Sequence, residues 1–239
     1  MSRRARTVVE LTGEARSGIV EALARRLPAH WLVGPTATTG DGERPDPFGY
    51  AIGYVALLDL ISRTDLTDPK QVRGALYAVY GWMPTTLRAI EDEGVIADVG
   101  TLTMFAQSLR PDPSGAVPNG EFDELFVRIR SGTEWQPRTL TAATNNAPVG
   151  LSKFLHLAAP YVLPIWDRRI CASLGWGEHN AGSLRHFEAY VRALHRWHRE
   201  GGAVPPDDPA SPSGTGENDP NGWVRAAEWY LFRVGPPAG

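Results

Sequence analysis

The chain holds a single cysteine, Cys171, in 239 residues. No intrachain disulfide can form and no cysteine-based metal cluster can be assembled, which fits a reducing, cytoplasmic setting. Lysine is almost as scarce: Lys70 and Lys153 are the only two among 24 basic residues. Against such an excess of arginine, a lysine that persists points to a need for an amine. Long apolar runs are missing as well. The stretch 51–60 is broken by Gly53 and Asp59, short of the roughly 18 residues a membrane span needs, so no membrane partner is expected. No apolar stretch follows "MSRRARTVVE", and no secretory signal is expected. A basic excess is absent too. The net charge of −3 argues against a large phosphate footprint and leaves room only for a local basic face. The phosphate-loop pattern, the dinucleotide fingerprint, the G-x-S-x-G elbow and H-E-x-x-H do not occur. Neither does a repeat of fixed period.

Helical periodicity is abundant. Residues 5–27 place Val8, Leu11, Ile19, Leu23 and Leu27 on one face, and a Gly/Pro/Thr-rich loop follows over 34–47. Over 48–62, Phe48, Ile52, Val55, Leu58 and Ser62 recur at helical spacing. "TDPKQVRGALYAVYGW" opens a helix with Asp68 as cap and Pro69 at its first position, and Pro84 ends it. Further helices are expected over 95–110, over "EFDELFVRIRSG", over 183–200 and over 223–235, with a loop at 111–120. In 183–200 the inner stripe is Leu184, Phe187, Val191 and Leu194, with Trp197 or His198. In 223–235 it is Trp223, Ala226 or Ala227, Tyr230 and Leu231. Residues 201–222, rich in Pro, Gly, Ser and Asp, read as a mobile loop. No convincing alternating strand occurs. The expected fold is all-α: one domain over 1–239 with two packed helical lobes.

Chemistry concentrates in 150–176, "GLSKFLHLAAPYVLPIWDRRICASLGW". Pro148 and Gly150 read as a turn, with a helix starting near Leu151 or Ser152 and Lys153 in its first turn. The positive end of the helix there lowers the pKa of an amine, as a nucleophilic lysine requires. Pro160 and Pro164 stop that helix, "YVLPIW" is extended and buried, and "RRICAS" is a short helix closed by Gly175. Asp167 stands at its start. It reads as a cap for that helix, and a carboxylate held there is also rigid and ionised, able to stabilise developing positive charge. Lys153 is either a solvated charge or a nucleophile.

This order of features resembles the helix-hairpin-helix DNA glycosylase superfamily: a turn with glycine, a helix carrying a lysine, an apolar-Pro-apolar approach, then Asp before "RRICASLG". "PIWDRRICASLGW" is similar to the family's "VDxHVxRxxxRLG" context, with Arg169 where the family has histidine. The likeness covers about 30 residues, and the turn, "APVGLSK", has one glycine fewer than the family's hairpin. It implies a two-lobed helix-hairpin-helix glycosylase-like fold, binding of DNA or a nucleoside-containing substrate, and a flipped base in the cleft between lobes. It also implies cleavage of an N-glycosidic bond by Asp167, with Lys153 as the amine nucleophile or a phosphate contact. "YGWMPTTL" together with "SKFLHL…PIWD" also looks like a group of bacterial helical proteins of unassigned function.

Other candidates surround this pair. Trp82, in "YGWMP", either stacks on a base or fills a helix corner. Trp166 has the same two readings. His156, three residues after Lys153, is either a proton-transfer group or a buried core histidine. Asn146 either reads a base edge or stops a helix. Arg169 either holds a phosphate or covers surface. His186, His195 and His198 lack metal-ligand spacing; neither a metal nor another cofactor is expected. The alternatives to an enzyme are a non-catalytic nucleic-acid-binding protein and a protein-interaction module on the same helical fold.

Overall fold

In the computed structural model, residues 50–82, 93–112, 114–131, 147–201 and 223–234 are described here. The expected helix at 5–27, the loop at 34–47, Phe48, the break at Pro84, Asn146 and nearly all of the loop at 201–222 lie outside them. The described part is helical, and no strand occurs among these residues. The helices are α1 (Tyr50–Arg63), α2 (Pro69–Trp82), α3 (Glu93–Ser108), α4 (Asn119–Ser131), α5 (Ala147–Ala158), α6 (Arg168–Ser173), α7 (Leu184–Arg199) and α8 (Trp223–Val234), with a 3-10 turn at Glu178–Gly182 before α7. None of them is long and apolar enough to cross a membrane.

Local chemistry explains the boundaries. Asp68 precedes α2 and accepts the Lys70 N–H at 2.9 Å, and Pro69 opens the helix, where its missing N–H costs nothing. Gly175, with φ +80°, follows the end of α6. In α1 the buried face is Tyr54, Leu57 and Ile61, not the Val55–Leu58–Ser62 stripe that periodicity suggests. Val55 is 50% exposed. The two stripes are almost equally apolar, and the choice falls to Tyr54 because its hydroxyl finds a buried partner on α5.

Buried side chains form two clusters. One joins α1, α2 and the first half of α3 with Phe154 and Leu157 of α5. The other joins the second half of α3, α4, the segment 162–174, α7 and α8 with Leu151 and Leu155 of α5. Helix α5 thus contributes to both, and its residues from Pro148 to Leu157 are all buried. A helix buried on every side has no solvated face on which to put a charge. Close approach seals the first cluster. A Cβ on Gly100 would lie 2.2 Å from the Leu66 carbonyl oxygen, and one on Gly53 would lie 2.6 Å from Trp82 Cδ1.

Candidate functional site: a buried charge cluster on α5, α6 and α8

Two expectations about Lys153 are corrected. Pro148 and Gly150 lie inside α5, which begins at Ala147, so they form no turn before it. Lys153 is therefore in the second turn and buried, 5% exposed, and is not a solvated first-turn charge. Its amine is pushed down from the usual lysine range to about 8, chiefly by burial, while the Asp167 carboxylate opposes the shift. Desolvation, not the helix terminus, is the cause.

The segment after α5 is laced back onto it. The Trp166 N–H donates to the Ser152 hydroxyl at 3.0 Å, and that hydroxyl donates to the Val149 carbonyl at 2.9 Å. His156 Nδ1 lies 2.6 Å from the Leu163 carbonyl, which can only accept, so Nδ1 carries the proton. His156 Nε2 then accepts from the Tyr54 hydroxyl at 2.9 Å. These bonds hold residues 163–166 against α5 and deliver Asp167, the next residue, into the electrostatic reach of Lys153.

Asp167 does cap α6. In extended conformation (φ −152°, ψ −177°) it accepts the Ile170 N–H at 2.8 Å. Burial nevertheless raises its carboxyl above the usual range, against the opposing pull of the Ile170 bond, Lys153 and Arg169. The sequence expectation of an undisturbed anion is corrected on this point.

The remaining predicted residues divide. Arg169 is half-buried and its charge acts on Asp167. Trp166 is fully buried and its indole N–H donates to the Ala181 carbonyl at 2.9 Å. His156 is fully buried with both ring nitrogens engaged and is held neutral, its pKa pushed down to about 3 by burial. Its bonds tie α1 to α5 and to the 162–166 segment. Trp82 is partly buried, 5.9 Å from the Tyr54 ring, on the α1–α2 side. The structure thus brings Lys153, Asp167 and Arg169 together.

Sequence reasoning missed the contribution of α8. Arg225 and Glu228 are 5% and 2% exposed. Arg225 Nη1 contacts Glu228 Oε2, and the guanidinium lies 4.7 Å over the Tyr54 ring. Burial pushes the Glu228 carboxyl up to about 7, with Arg225 opposing and Asp167 adding to the shift. The Tyr190 phenol of α7 is fully buried, feels both Glu228 and Asp167, and is raised well above its usual range. Its hydroxyl has no hydrogen-bond partner among the described residues. One signal was legible: Glu228 stands four residues after Val224 and three before Leu231, inside the buried stripe of α8.

Chemically, the cluster offers an amine that is partly neutral near pH 7, a carboxylate held by a backbone amide, a second carboxyl pushed up to about 7 beside Arg225, and a phenol. Among the described residues, no group of His, Cys, Asp or Glu can hold a metal ion. Compared with family models, curated proteins and solved structures, the chain finds no match.

Proposed function

We propose that the chain is a DNA glycosylase-like hydrolase that cleaves the N-glycosidic bond of a flipped base, with Lys153 and Asp167 as its catalytic pair. One observation carries the reading: Lys153 is buried on a helix with no solvated face, its amine is lowered to about 8, and the Asp167 carboxylate acts on it. At pH 7 about a tenth of such an amine is neutral, against a few in ten thousand for an ordinary lysine. The amine attacks the sugar carbon C1′, the C1′–N bond breaks, and the base leaves with the bonding electrons. The Asp167 carboxylate stabilises the positive charge that develops on the sugar. Opening of the sugar ring converts the C1′–lysine bond into a Schiff base that borohydride reduces to a stable adduct.

A second reading has its own support. The Ile170 N–H bond to Asp167 is what a purely structural cap would make on a non-catalytic nucleic-acid-binding or protein-interaction module, and of these two the net charge of −3 suits the protein-interaction module better. The deciding experiment incubates the protein with duplex and single-stranded oligonucleotides carrying damaged bases, with and without borohydride. Abasic product lost in Asp167→Asn, and a trapped adduct lost in Lys153→Met, are expected. Salt-sensitive binding without product, unchanged in both variants, establishes the binding module instead. Absence of binding altogether overturns the nucleic-acid reading.

A further inference from the structure

The residues immediately before Lys153 and Asp167 are joined to each other. Ser152 precedes Lys153, Trp166 precedes Asp167, and the Trp166 N–H donates to the Ser152 hydroxyl at 3.0 Å. The hydroxyl's own proton goes to the Val149 carbonyl of α5 at 2.9 Å, nearer than the Trp166 carbonyl at 3.3 Å. That choice fixes the rotation of the hydroxyl and leaves its lone pairs for the Trp166 N–H. Ser152 is fully buried. Its side chain is short, so the bond sets a close, fixed spacing between two backbones, away from solvent.

The rest of the segment offers no substitute. The Val162 and Leu163 N–H groups bond to the Ala159 carbonyl just past the end of α5, and His156 reaches the Leu163 carbonyl. Beyond Leu163, Pro164 has no N–H to give. Among the described residues, the backbone of 164–166 makes its hydrogen bonds to Ser152 alone. The Trp166 indole is bonded to the Ala181 carbonyl and packs on Tyr190 at 5.4 Å, which ties it to the 3-10 turn and α7, not to α5. Asp167 is bonded forward into α6. One hydroxyl therefore carries the hydrogen bonding between α5 and the stretch that delivers Asp167.

We propose that Ser152 is the positioning residue of the pair: its hydroxyl sets where Asp167 stands relative to Lys153, and with it the geometry in which amine and carboxylate act together. Ser152 acts through Asp167 and not on a substrate. Its effect on base release rests on the glycosylase reading; its hold on the pair does not.

The test is a double-mutant cycle read on the ε-carbon titration of Lys153 in the full chain. In the parent, Asp167→Asn moves the Lys153 midpoint to lower pH because the opposing charge is gone, while asparagine still caps α6. In Ser152→Ala, which leaves the Trp166 N–H without its acceptor, that displacement is expected to shrink to roughly half or less. Ser152→Thr restores it, since a threonine hydroxyl in a helix makes the same bond to the carbonyl of Val149. Thr103→Val removes a buried hydroxyl bonded inside α3 and leaves the displacement at its parent value. Equal displacements in Ser152→Ala and the parent overturn the proposal, and so does an equal reduction in Thr103→Val. A midpoint that Asp167→Asn leaves in place in the parent overturns it too, because there is then no pair to position. If Ser152→Ala does not fold, Ser152→Cys, whose sulfur is a weaker acceptor, takes its place under the same criterion. Borohydride trapping reads the chemistry. The rate of adduct formation falls about tenfold or more in Ser152→Ala, with oligonucleotide binding unchanged, and recovers in Ser152→Thr; an unchanged rate overturns the role in base release. If the cycle behaves as expected and the parent forms no adduct, the glycosylase reading fails and the positioning of the pair stands.

Discussion

Two of the regions in which the described residues pair charges differ in what surrounds the pairs. Along the α4–α7 seam, Arg192 meets Glu188 at 2.9 Å and Asp123 at 2.8 Å, Arg130 contacts Glu188, and Arg128 meets Glu124 at 2.6 Å. Most of these side chains reach solvent. Between α5, α6 and α8, the charges of Lys153, Asp167, Arg225 and Glu228 are largely withdrawn from it. Surface pairs are screened and cost little to keep. Buried ones carry a desolvation cost that apolar residues of the same size would avoid. The seam therefore needs no purpose beyond solubility and orientation. The interior cluster is a place where stability is given up, which is how sites with tuned protonation are built.

The comparison sharpens when each kind of interior contact is removed in turn. The largest loss is expected where polar and apolar burial coincide. Trp166→Ala removes a fully buried indole and its bond to Ala181, at a cost of about 3–5 kcal/mol in urea unfolding.

Acid comes next. His156 and His195 are both neutral and held down to about 3 by burial. In His195 the Val117 N–H donates to Nδ1 at 3.0 Å, and Nε2–H donates to the Val162 carbonyl at 2.7 Å. The unfolded chain takes up these protons below about pH 6.5 and the fold does not, so stability falls as pH drops from 6.5 towards 3. Glu228 works in the opposite sense. It holds its proton up to about 7 in the fold, so its contribution falls as pH rises from about 4.5 to 7. Two histidines outweigh one glutamate. The urea midpoint is expected to drop between pH 6.5 and 4 by the equivalent of about 2 kcal/mol or more.

Lys153→Met separates the functional from the structural account of the cluster. It keeps the length of the side chain and removes the buried amine. Stability at pH 7 is expected to rise by about 1 kcal/mol while the borohydride adduct disappears. A drop in stability of similar size would mean that the charge holds the fold together.

At the small end, Arg130→Ala on the seam is expected to change stability by no more than about 0.5–1 kcal/mol. That change should shrink further in high salt. A larger effect there would erase the distinction between the two regions.

Much of the frame was legible in the sequence because it rests on local chemistry. Asp68 and Pro69 mark the start of α2, Asp167 caps "RRICAS", and the amphipathic pattern of 184–199 is pronounced. What escaped depends on tertiary choices. Pro148 and Gly150 mimic a turn, yet the first turn of a helix tolerates proline, and α5 begins before them. That shift by one turn changes Lys153 from an exposed residue to a buried one. Arg225 and Glu228 went unnoticed; they are buried because α8 packs on α6. In α1 periodicity pointed to the Val55–Leu58–Ser62 stripe, and the fold buries Tyr54, Leu57 and Ile61 instead, the face that carries a hydroxyl–imidazole bond across 102 residues.

The most direct test of the account is the ionisation of Lys153 itself. The chain has only two lysines, so a carbon-13 spectrum of the lysine ε-carbons contains two signals, and Lys153→Met identifies which is which. The Lys153 signal is expected to titrate near pH 8 and to move to lower pH in Asp167→Asn, which removes the opposing charge. Titration in the ordinary lysine range, unchanged in Asp167→Asn, would contradict the buried amine–carboxylate pair on which the functional reading rests.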